Sequence, residues 1–395
     1  MTGFGRLHSG ARRLLPCPRM TPLPFVFPER PQRVYWETTR SCDLACRHCR
    51  AEAAPDADPD ELRAAEGLAL IEHLAAFGAP LPHLVFTGGD PLKRVDLFEL
   101  IAAARQHGFQ VSVAPSATPL LTADALRHLR GAGVDAISLS IDGSTAGRHD
   151  FIRGIPGTFE RTLEAARVAR EVQLPFQINT LVCEETVDDL PAIHQLALDL
   201  GAARWSLFFL VSVGRGQVLQ PVTPERTEAL LIWLASLAGP PRPGRLVITT
   251  TEAPFFRRVV SQRRPDSSAH HPTPERTVDS ARPASSGAAD GSARPVGHGA
   301  GIRDGNGIMF ISHTGDICPS GFLEIPTGNV RRDDVVDVYR HHPLFESLRN
   351  PTEFHGRCGP CEFRWVCGGS RARAYSASHD PLGEDPLCEH QPMAH

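Results

Sequence analysis

Three cysteines lie close together near the N-terminal end of the sequence and offer metal-binding chemistry. Cys42, Cys46 and Cys49 form a Cys-x3-Cys-x2-Cys run. Cubane iron–sulfur clusters are held by cysteine thiolates, and a complete set has four of them. Three thiolates would bind three of the irons. The fourth iron would stay open to a small molecule that ligates through oxygen and nitrogen.

Zinc binding and disulfide bonding are the alternatives for this cysteine run. Structural zinc sites usually close with four ligands, and no fourth cysteine lies near these three. Disulfide frameworks suit short secreted chains, whereas this chain has 395 residues. The segment from Met1 to about Arg30 lacks the apolar stretch of a signal peptide. The run therefore favours an iron–sulfur site in a reducing compartment, and we expect a cytoplasmic protein.

A second set of cysteines lies near the C-terminal end. Cys358, Cys361 and Cys367 form a Cys-x2-Cys-x5-Cys run, and Cys388 follows some twenty residues later. Four thiolates complete either a zinc site or a cubane cluster. The spacing alone does not choose between these two metal centres.

The composition excludes two classes of partner. The chain has 41 Lys and Arg residues against 45 Asp and Glu residues, so it has no basic footprint for nucleic acid. No apolar run approaches the ~18 residues that a membrane-spanning helix needs. We therefore expect neither nucleic acid nor a membrane as a partner.

Short β-rich runs alternate with helical patterns over the first two-thirds of the chain. The first run, 34–38, leads into the cysteine loop, and a helix is expected around 59–77. A later helix has apolar residues at Leu97, Leu100, Ile101 and Ala104, the i, i+3, i+4, i+7 spacing of a core-facing helix. Six strand–helix units predict an α/β fold with a parallel sheet.

A glycine-rich turn follows the strand that is predicted at 84–87. Its residues are Gly88, Gly89, Asp90 and Pro91. Ligands of parallel α/β folds bind at the carboxyl ends of the strands, and glycine permits close approach of the backbone. This turn is therefore a candidate second part of a binding site that also contains the cysteine run.

The cysteine run and the glycine turn, about forty residues apart, together resemble the radical S-adenosylmethionine (SAM) superfamily. The resemblance implies that the open iron chelates the amino and carboxylate groups of SAM. One electron from the [4Fe–4S] cluster then cleaves SAM into methionine and a 5′-deoxyadenosyl radical. The implied fold is a partial (β/α)6 barrel, and we expect no complete (β/α)8 barrel because residues 248–307 supply no further units.

The resemblance also implies a set of SAM-binding residues. The Gly88–Pro91 turn is similar to the Gly-Gly-Glu-Pro element, which binds the methionine amino group, although Asp90 replaces Glu. Arg153 resembles the arginine that pairs with the SAM carboxylate. Ser116 and Ser140 correspond to polar residues near the ribose, and His48 to the residue that stacks near adenine.

The C-terminal cysteines resemble the SPASM or twitch domain of the same superfamily. That likeness implies one auxiliary [4Fe–4S] cluster, with Cys358, Cys361, Cys367 and Cys388 as ligands. The full SPASM pattern has seven cysteines for two clusters, and this chain retains too few. Cys318 stays open as a further ligand.

Several sequence segments, among them 36–42, 319–323 and 367–375, resemble those of one subgroup of the superfamily. That subgroup contains enzymes of haem d1 and alternative haem biosynthesis. The favoured function is a radical SAM enzyme that modifies tetrapyrrole propionates, for which Arg371 and Arg373 are candidate carboxylate partners. The alternatives are a maturase of a ribosomally made peptide and a non-catalytic iron–sulfur protein. The substrate is thus a small molecule or a peptide, and a flavodoxin or ferredoxin is the expected electron donor. No residue is assigned as catalytic.

The sequence predicts five segments. Residues 265–307 contain almost no large apolar side chains, and such composition is typical of disorder. The expected segments are a loose extension at 1–30, the partial barrel at 31–238, a connecting segment at 239–264, the disordered insertion at 265–307 and the auxiliary-cluster domain at 308–395.

Overall fold

A computed structural model describes residues 25–238, 245–263 and 301–393. Within these residues ten strands form one sheet, in the order β10-β9-β8-β1-β2-β3-β4-β5-β6-β7. The strands are β1 (Arg33–Glu37), β2 (His83–Thr87), β3 (Val111–Val113), β4 (Ala136–Ser140), β5 (Phe176–Val182), β6 (Arg204–Phe209), β7 (Val247–Thr251), β8 (Ile308–Ile311), β9 (Asp316–Cys318) and β10 (Gly328–Asn329).

Helices separate the strands and cover one face of the sheet. Strands β1 to β7 are parallel, β8 is parallel to β1, and β9 and β10 pair antiparallel. The predicted α/β class with a mostly parallel sheet is therefore confirmed. The helices are α1 (Ala64–Ala75), α2 (Leu97–Gln106), α3 (Ala123–Gly131), α4 (Ala146–Arg153), α5 (Thr158–Glu171), α6 (Leu190–Asp199), α7 (Pro224–Leu237), α8 (Phe256–Arg263), α9 (Val335–His341), α10 (Pro343–Arg349) and α11 (Arg371–Ser378).

The alternation of side chains along β1 shows how the sheet divides the molecule. Val34 and Trp36 are fully buried in the core. Helix α1 packs closely there, since a Cβ added at Gly67 would lie 2.9 Å from the Trp36 ring. Arg33 and Tyr35 point to the opposite face, since successive residues of a strand alternate, and they line an interior cavity. The helices pack outside the sheet, and the cavity lies within its concave face.

The sheet curls strongly enough to enclose this cavity. Four strands separate β1 from β6 in the sheet order, yet Arg33 and Arg204, the first residues of these two strands, line the same cavity. The described strands leave β7 and β10 as the edges of the sheet. The curled, open sheet is the partial barrel that the sequence predicts.

Two parts of the fold differ from the sequence-based expectation. A seventh parallel strand, β7, pairs with β6 and is followed by α8, so the segment after residue 239 adds a unit to the sheet. Residues 301–307, expected to be the end of a disordered insertion, lie inside the fold. Arg303, Asp304 and Asn306 are all buried there. Residues 265–300 of that insertion and residues 1–24 of the N-terminal extension lie outside the described residues.

Asn306 explains why both predicted borders were misplaced. Its side-chain amide accepts the N–H of Phe27 (3.0 Å) and donates to the carbonyls of Phe25 (2.9 Å) and Gly301 (2.7 Å). One polar side chain thus ties residues 25–27 to the segment before β8. Local composition cannot reveal such a contact, because the bonded residues are about 280 positions apart in the chain.

We expect Asn306→Ala to lower the free energy of unfolding by about 1–3 kcal/mol, because it leaves buried backbone groups without partners. Thermal and urea unfolding would measure the change. Gln195→Ala is the control, because Gln195 is exposed on α6 and bonds only Asp199. Equal stability of the two variants would contradict the role given to Asn306.

Candidate functional site

The three N-terminal cysteines converge at the carboxyl end of β1. Cys42 and Cys46 are buried and Cys49 is half-buried, and all three line the interior cavity, whose volume is about 520 Å³. The N–H of Leu44 lies 3.4 Å from Cys42 Sγ, and the N–H of Ala53 lies 3.5 Å from Cys49 Sγ. Backbone donors aimed at sulfur favour the thiolate form that iron binds.

The glycine turn after β2 packs directly against the cysteine loop. The N–H of Gly89 donates to Thr39 O (2.8 Å), and the N–H of Asp90 donates to Ser41 O (2.7 Å). A Cβ on Gly88 would lie 2.4 Å from Thr39 O, and a Cβ on Gly89 would lie 2.5 Å from Ser41 O. The two loops therefore approach so closely that only glycine fits at both positions.

The side chain of Asp90 holds this turn through hydrogen bonds. Its carboxylate accepts the hydroxyl of Thr118 (2.6 Å) and the N–H groups of Leu92 (3.1 Å) and Ser116 (3.3 Å). The Ser116 hydroxyl in turn donates to Gly89 O (2.7 Å). Asp90 and Pro91 do not line the cavity, whereas Gly88, Gly89 and Ser116 do. The Asp90 side chain thus orients the turn and does not face the cavity.

Arg153 lies beside the cysteine loop and is already paired. It forms an ion pair with the buried carboxylate of Asp142 (2.5 Å) and lies 3.8 Å from Cys46 Sγ. Burial would raise the pKa of Asp142, but Arg153 and other neighbours outweigh burial and lower it. Burial, together with the Arg153 charge, lowers the pKa of His48 to about 4. The site therefore offers a guanidinium, a carboxylate and a neutral imidazole whose Nδ1 is buried without a partner.

The structure brings most of the predicted SAM-pocket residues together. Besides the glycines and Ser116, the cavity is lined by Ser140, Arg153 and His48. Sequence reasoning missed Arg215, which follows β6 and also lines the cavity. Its side chain donates to Cys46 O and Ala53 O, both at 3.0 Å. An arginine after a strand, next to a glycine at 214, is the signal that could have indicated it.

Burial raises the pKa of the Cys42 and Cys46 thiols in the protein without metal. Metal-ligating cysteines must lose their protons, so cluster binding at this loop releases protons. The three sulfurs, the backbone donors and the adjoining cavity fit a cubane cluster with an open iron. In such a site Cys42, Cys46 and Cys49 would hold the cluster.

The four C-terminal cysteines surround a second, small cavity. The N–H of Gly369 lies 3.4 Å from Cys367 Sγ, and Nη2 of Arg371 lies 3.5 Å from Cys358 Sγ. The four residues that line this cavity and fit a cluster are Cys358, Cys361, Cys367 and Cys388. Cys318 is buried at the end of β9 and lines neither cavity.

Cys361 also lies near two other metal-ligating side chains. The ligand atoms of Cys361, Glu362 and His390 are within 4.8 Å of one another. His390 Nε2 lies 2.9 Å from Glu362 Oε1, so this hydrogen bond accounts for their proximity. The set of four cysteines remains the better candidate for the metal centre.

Three arginines surround the C-terminal cysteines without carboxylate partners. Within the described ranges, Arg257, Arg303 and Arg371 form no ion pair with a carboxylate; they bond backbone carbonyls instead. Burial, followed by the charges of the other two arginines, lowers the pKa of Arg303 to about 9. We call these three residues the arginine collar.

The sequence-based interpretation of Arg371 and Arg373 as carboxylate partners of the substrate is wrong. Arg371 is fully buried and donates to Gly383 O (2.6 Å), and Arg373 pairs with Asp385 (3.1 Å). Neither arginine lines the main cavity. Sequence proximity placed Arg371 correctly beside Cys358, but the Arg373 side chain bonds Asp385 and the carbonyl of Leu210.

Comparisons with known proteins settle the family. A family model described as the Radical SAM superfamily matches residues 36–197. The AdoMet-dependent heme synthase of Nitratidesulfovibrio vulgaris is 37% identical over 361 residues, which cover 91% of this chain and 92% of that protein. The chain belongs to the radical SAM superfamily. The AdoMet-dependent heme synthase of Methanosarcina barkeri is 35% identical over 365 residues, which cover 92% of this chain and 97% of that protein.

A solved structure shares the fold. SuiB from Streptococcus suis, in its crystal structure with S-adenosylmethionine, aligns with a TM-score of 0.67 at 15% identity. The alignment covers 92% of this chain and 78% of SuiB.

The protein is therefore a radical SAM enzyme that uses a [4Fe–4S] cluster and SAM. Among the described residues, no helix has the length and apolarity to span a membrane.

We expect Gly89→Ala to prevent assembly of the N-terminal cluster, because its Cβ would meet Ser41 O at 2.5 Å and push the cysteine loop away. Iron content and the visible cluster absorption after anaerobic reconstitution would measure the loss. The matched control is Gly147→Ala in α4, where no atom lies within 4 Å of the new Cβ. That control should keep full iron content, and full iron content in Gly89→Ala would contradict the close approach.

Proposed function

We propose that this radical SAM enzyme modifies the propionate side chains of an iron tetrapyrrole in haem biosynthesis. The relatives named AdoMet-dependent heme synthase support this function, because 35–37% identity extends over more than nine-tenths of the chain. The cavity supports it too. One continuous space begins at Cys42, Cys46 and Cys49 and extends to cationic side chains that include Arg204. This single cavity is the observation that carries the proposal.

Each group at the cysteine end has a proposed task. Gly88 and Gly89 bring backbone polar groups next to the cysteine loop, where they bind the methionine moiety of SAM. Arg153 binds the SAM carboxylate, and Asp142 keeps the guanidinium in place through the 2.5 Å ion pair. Ser116 and Ser140 bind the ribose. His48 stays neutral near pH 7, because its pKa is about 4, and packs near adenine.

The bound cluster and SAM supply a 5′-deoxyadenosyl radical that abstracts a hydrogen atom from the substrate. Loss of CO2 from the resulting propionate radical leaves a vinyl group and one electron. The proposed acceptor site for that electron is the centre held by Cys358, Cys361, Cys367 and Cys388. A flavodoxin or ferredoxin of the cytoplasm is the proposed reductant for the N-terminal cluster.

A peptide maturase is the main alternative, and a non-catalytic iron–sulfur protein is the remaining one. The buried arginines of the cavity favour a substrate with carboxylates over an ordinary peptide backbone, because guanidinium groups bind carboxylates through paired hydrogen bonds. The intact cysteine loop and its adjoining cavity favour catalysis over iron storage.

We expect the reconstituted protein to hold about eight irons from two cubanes, and a Cys358→Ala/Cys361→Ala variant to hold about four. Because its N-terminal cluster is intact, the variant should still produce 5′-deoxyadenosine from SAM and reductant but form no product. Iron analysis and chromatography of the nucleoside would test this. Stoichiometric zinc at the C-terminal cysteines would overturn the auxiliary-cluster assignment.

A substrate assay tests the function itself. The enzyme is incubated anaerobically with SAM, reductant and iron-coproporphyrin III, and the porphyrin is examined by mass spectrometry. We expect each modified propionate to lose CO2 and two hydrogen atoms. The Cys42→Ala/Cys46→Ala/Cys49→Ala variant is the control and should give neither 5′-deoxyadenosine nor product. Oxidation or cross-linking of a peptide, with porphyrins neither bound nor altered, would refute the tetrapyrrole proposal.

A further inference from the structure

The end of the cavity away from the cysteines is lined by residues that begin strands. Arg33 begins β1, His83 begins β2 and Arg204 begins β6. Ser112 of β3 lies next to them. We call these four residues the floor cluster. All strands that carry them are parallel, so the floor cluster and the cysteine loop lie at opposite ends of the barrel.

Arg204 carries a positive charge that no neighbouring acid neutralises. Within the described part of the chain it forms neither an ion pair nor a hydrogen bond with a carboxylate. Asp135, which also lines the cavity, is engaged by Arg105 and by the N–H of Val111, both at 2.8 Å. Burial and the charge of Arg33 lower the pKa of Arg204 to about 10, so it stays cationic at neutral pH. A largely buried charge without a counterion is costly.

His83 adds a hydrogen-bond donor to the same place. Its Nε2 lies 2.9 Å from Ser112 Oγ, and its Nδ1 is buried with no hydrogen-bond partner among the described residues. Burial, followed by the charges of Arg33 and Arg204, lowers the pKa of His83 to about 3. The imidazole is therefore neutral at pH 7. When Nε2 accepts the Ser112 hydroxyl, Nδ1 carries the proton and is free to donate.

Apolar and polar side chains share the wall between the two ends of the cavity. Val85, Phe208 and Phe310 contribute apolar surface, and Ser138 and Gln177 contribute polar groups. The four residue steps from Arg204 to Phe208 span about 13 Å, at ~3.3 Å for each residue of a parallel strand. The cavity therefore suits an elongated or flat molecule that carries an anionic group at the end remote from the cysteines.

We propose that the floor cluster binds a substrate carboxylate that does not react. Arg204 supplies the positive charge and His83 the additional donor, and they anchor one end of the molecule while the opposite side chain lies at the SAM site. This inference rests on the proposed function and extends it, because it assigns a subsite to a propionate on the far side of the macrocycle.

The test uses the cluster-loaded enzyme and two iron porphyrins. Iron-coproporphyrin III carries propionates, and iron etioporphyrin carries only alkyl groups. Anaerobic absorbance titration gives the dissociation constant of each porphyrin for the wild type, Arg204→Met, Arg204→Lys and Arg167→Met. Arg167 is the matched control, because it is exposed on α5 and, among the residues that the structure describes, pairs only with Glu164 and Glu171.

We expect Arg204→Met to bind iron-coproporphyrin III at least about tenfold more weakly than the wild type, since a charge-assisted bond is lost. Arg204→Lys should recover part of this affinity, and Arg167→Met should match the wild type. Iron etioporphyrin should bind all four proteins equally. Without substrate, Arg204→Met should melt at the same temperature as the wild type or higher, because an unneutralised buried charge is gone.

The outcomes separate the subsite from the proposed function. Equal affinity of wild type and Arg204→Met for iron-coproporphyrin III would overturn the subsite and leave the function standing. Failure of the wild type to bind iron-coproporphyrin III would overturn both. If Arg204→Met does not fold, His83→Phe takes its place, and a severalfold loss of affinity for iron-coproporphyrin III alone is then the expected result. Unchanged affinity in His83→Phe would overturn the role of the floor cluster.

Discussion

Two backbone hydrogen bonds between neighbouring loops are the constraint on which the rest of the structure depends. They join the turn at Gly88 and Gly89 to the carbonyls of Thr39 and Ser41, at a distance that admits no side chain. The cysteine loop would otherwise be a long, flexible connection after β1, and thiolates on such a loop could not keep the spacing of a cluster. Parallel pairing of β1 with β2 places the two loops side by side. The register of the sheet thus brings the two loops of the site together.

The cysteine loop is also held by parts of the chain that lie far away in sequence. Arg215, after β6, donates to two of its carbonyls. Arg50 pairs with Glu37 of β1 and with Glu324 of the C-terminal part. His313, which follows β8, lies 2.8 Å from the other Glu37 oxygen. Because β8 continues the same sheet, the C-terminal part reaches the first metal site through the protein backbone and through these ion pairs.

Sequence patterns correctly predicted the features that depend on neighbouring residues in the chain. The cysteine spacings, the parallel sheet and the buried face of α2 at Leu97, Leu100, Ile101 and Ala104 follow from residue types and periodicity. The polar lining at Ser116, Ser140 and Arg153 was predicted from the resemblance to the radical SAM superfamily, and all three residues line the cavity. The predictions from residue type and periodicity needed no knowledge of which distant segments meet.

The remaining features depend on contacts between distant segments. Residues 301–307 were predicted to be disordered from their composition. Their burial depends on Asn306 and its partners near residue 25, which composition does not reveal. Asp90 matched a ligand-binding motif, but three loop donors direct its carboxylate inward. The floor cluster was not foreseen, because Arg33, His83 and Arg204 meet only when the sheet curls. When a strand begins with arginine, the neighbouring sequence does not show whether that side chain lies inside the barrel or on the surface.

The arginine collar makes the C-terminal part of the protein dependent on its iron supply. Burial raises the pKa of the Cys367 thiol to about 12 and that of Cys388 to about 11, so the empty site holds neutral thiols among unneutralised guanidinium groups. An iron–sulfur cluster with four thiolates carries net negative charge and neutralises them. A chain without this cluster would therefore be less stable in this region than one that holds it. Proteases act on locally opened chains, so in iron-starved cells the abundance of the protein would follow the capacity for cluster assembly and not only the rate of its synthesis.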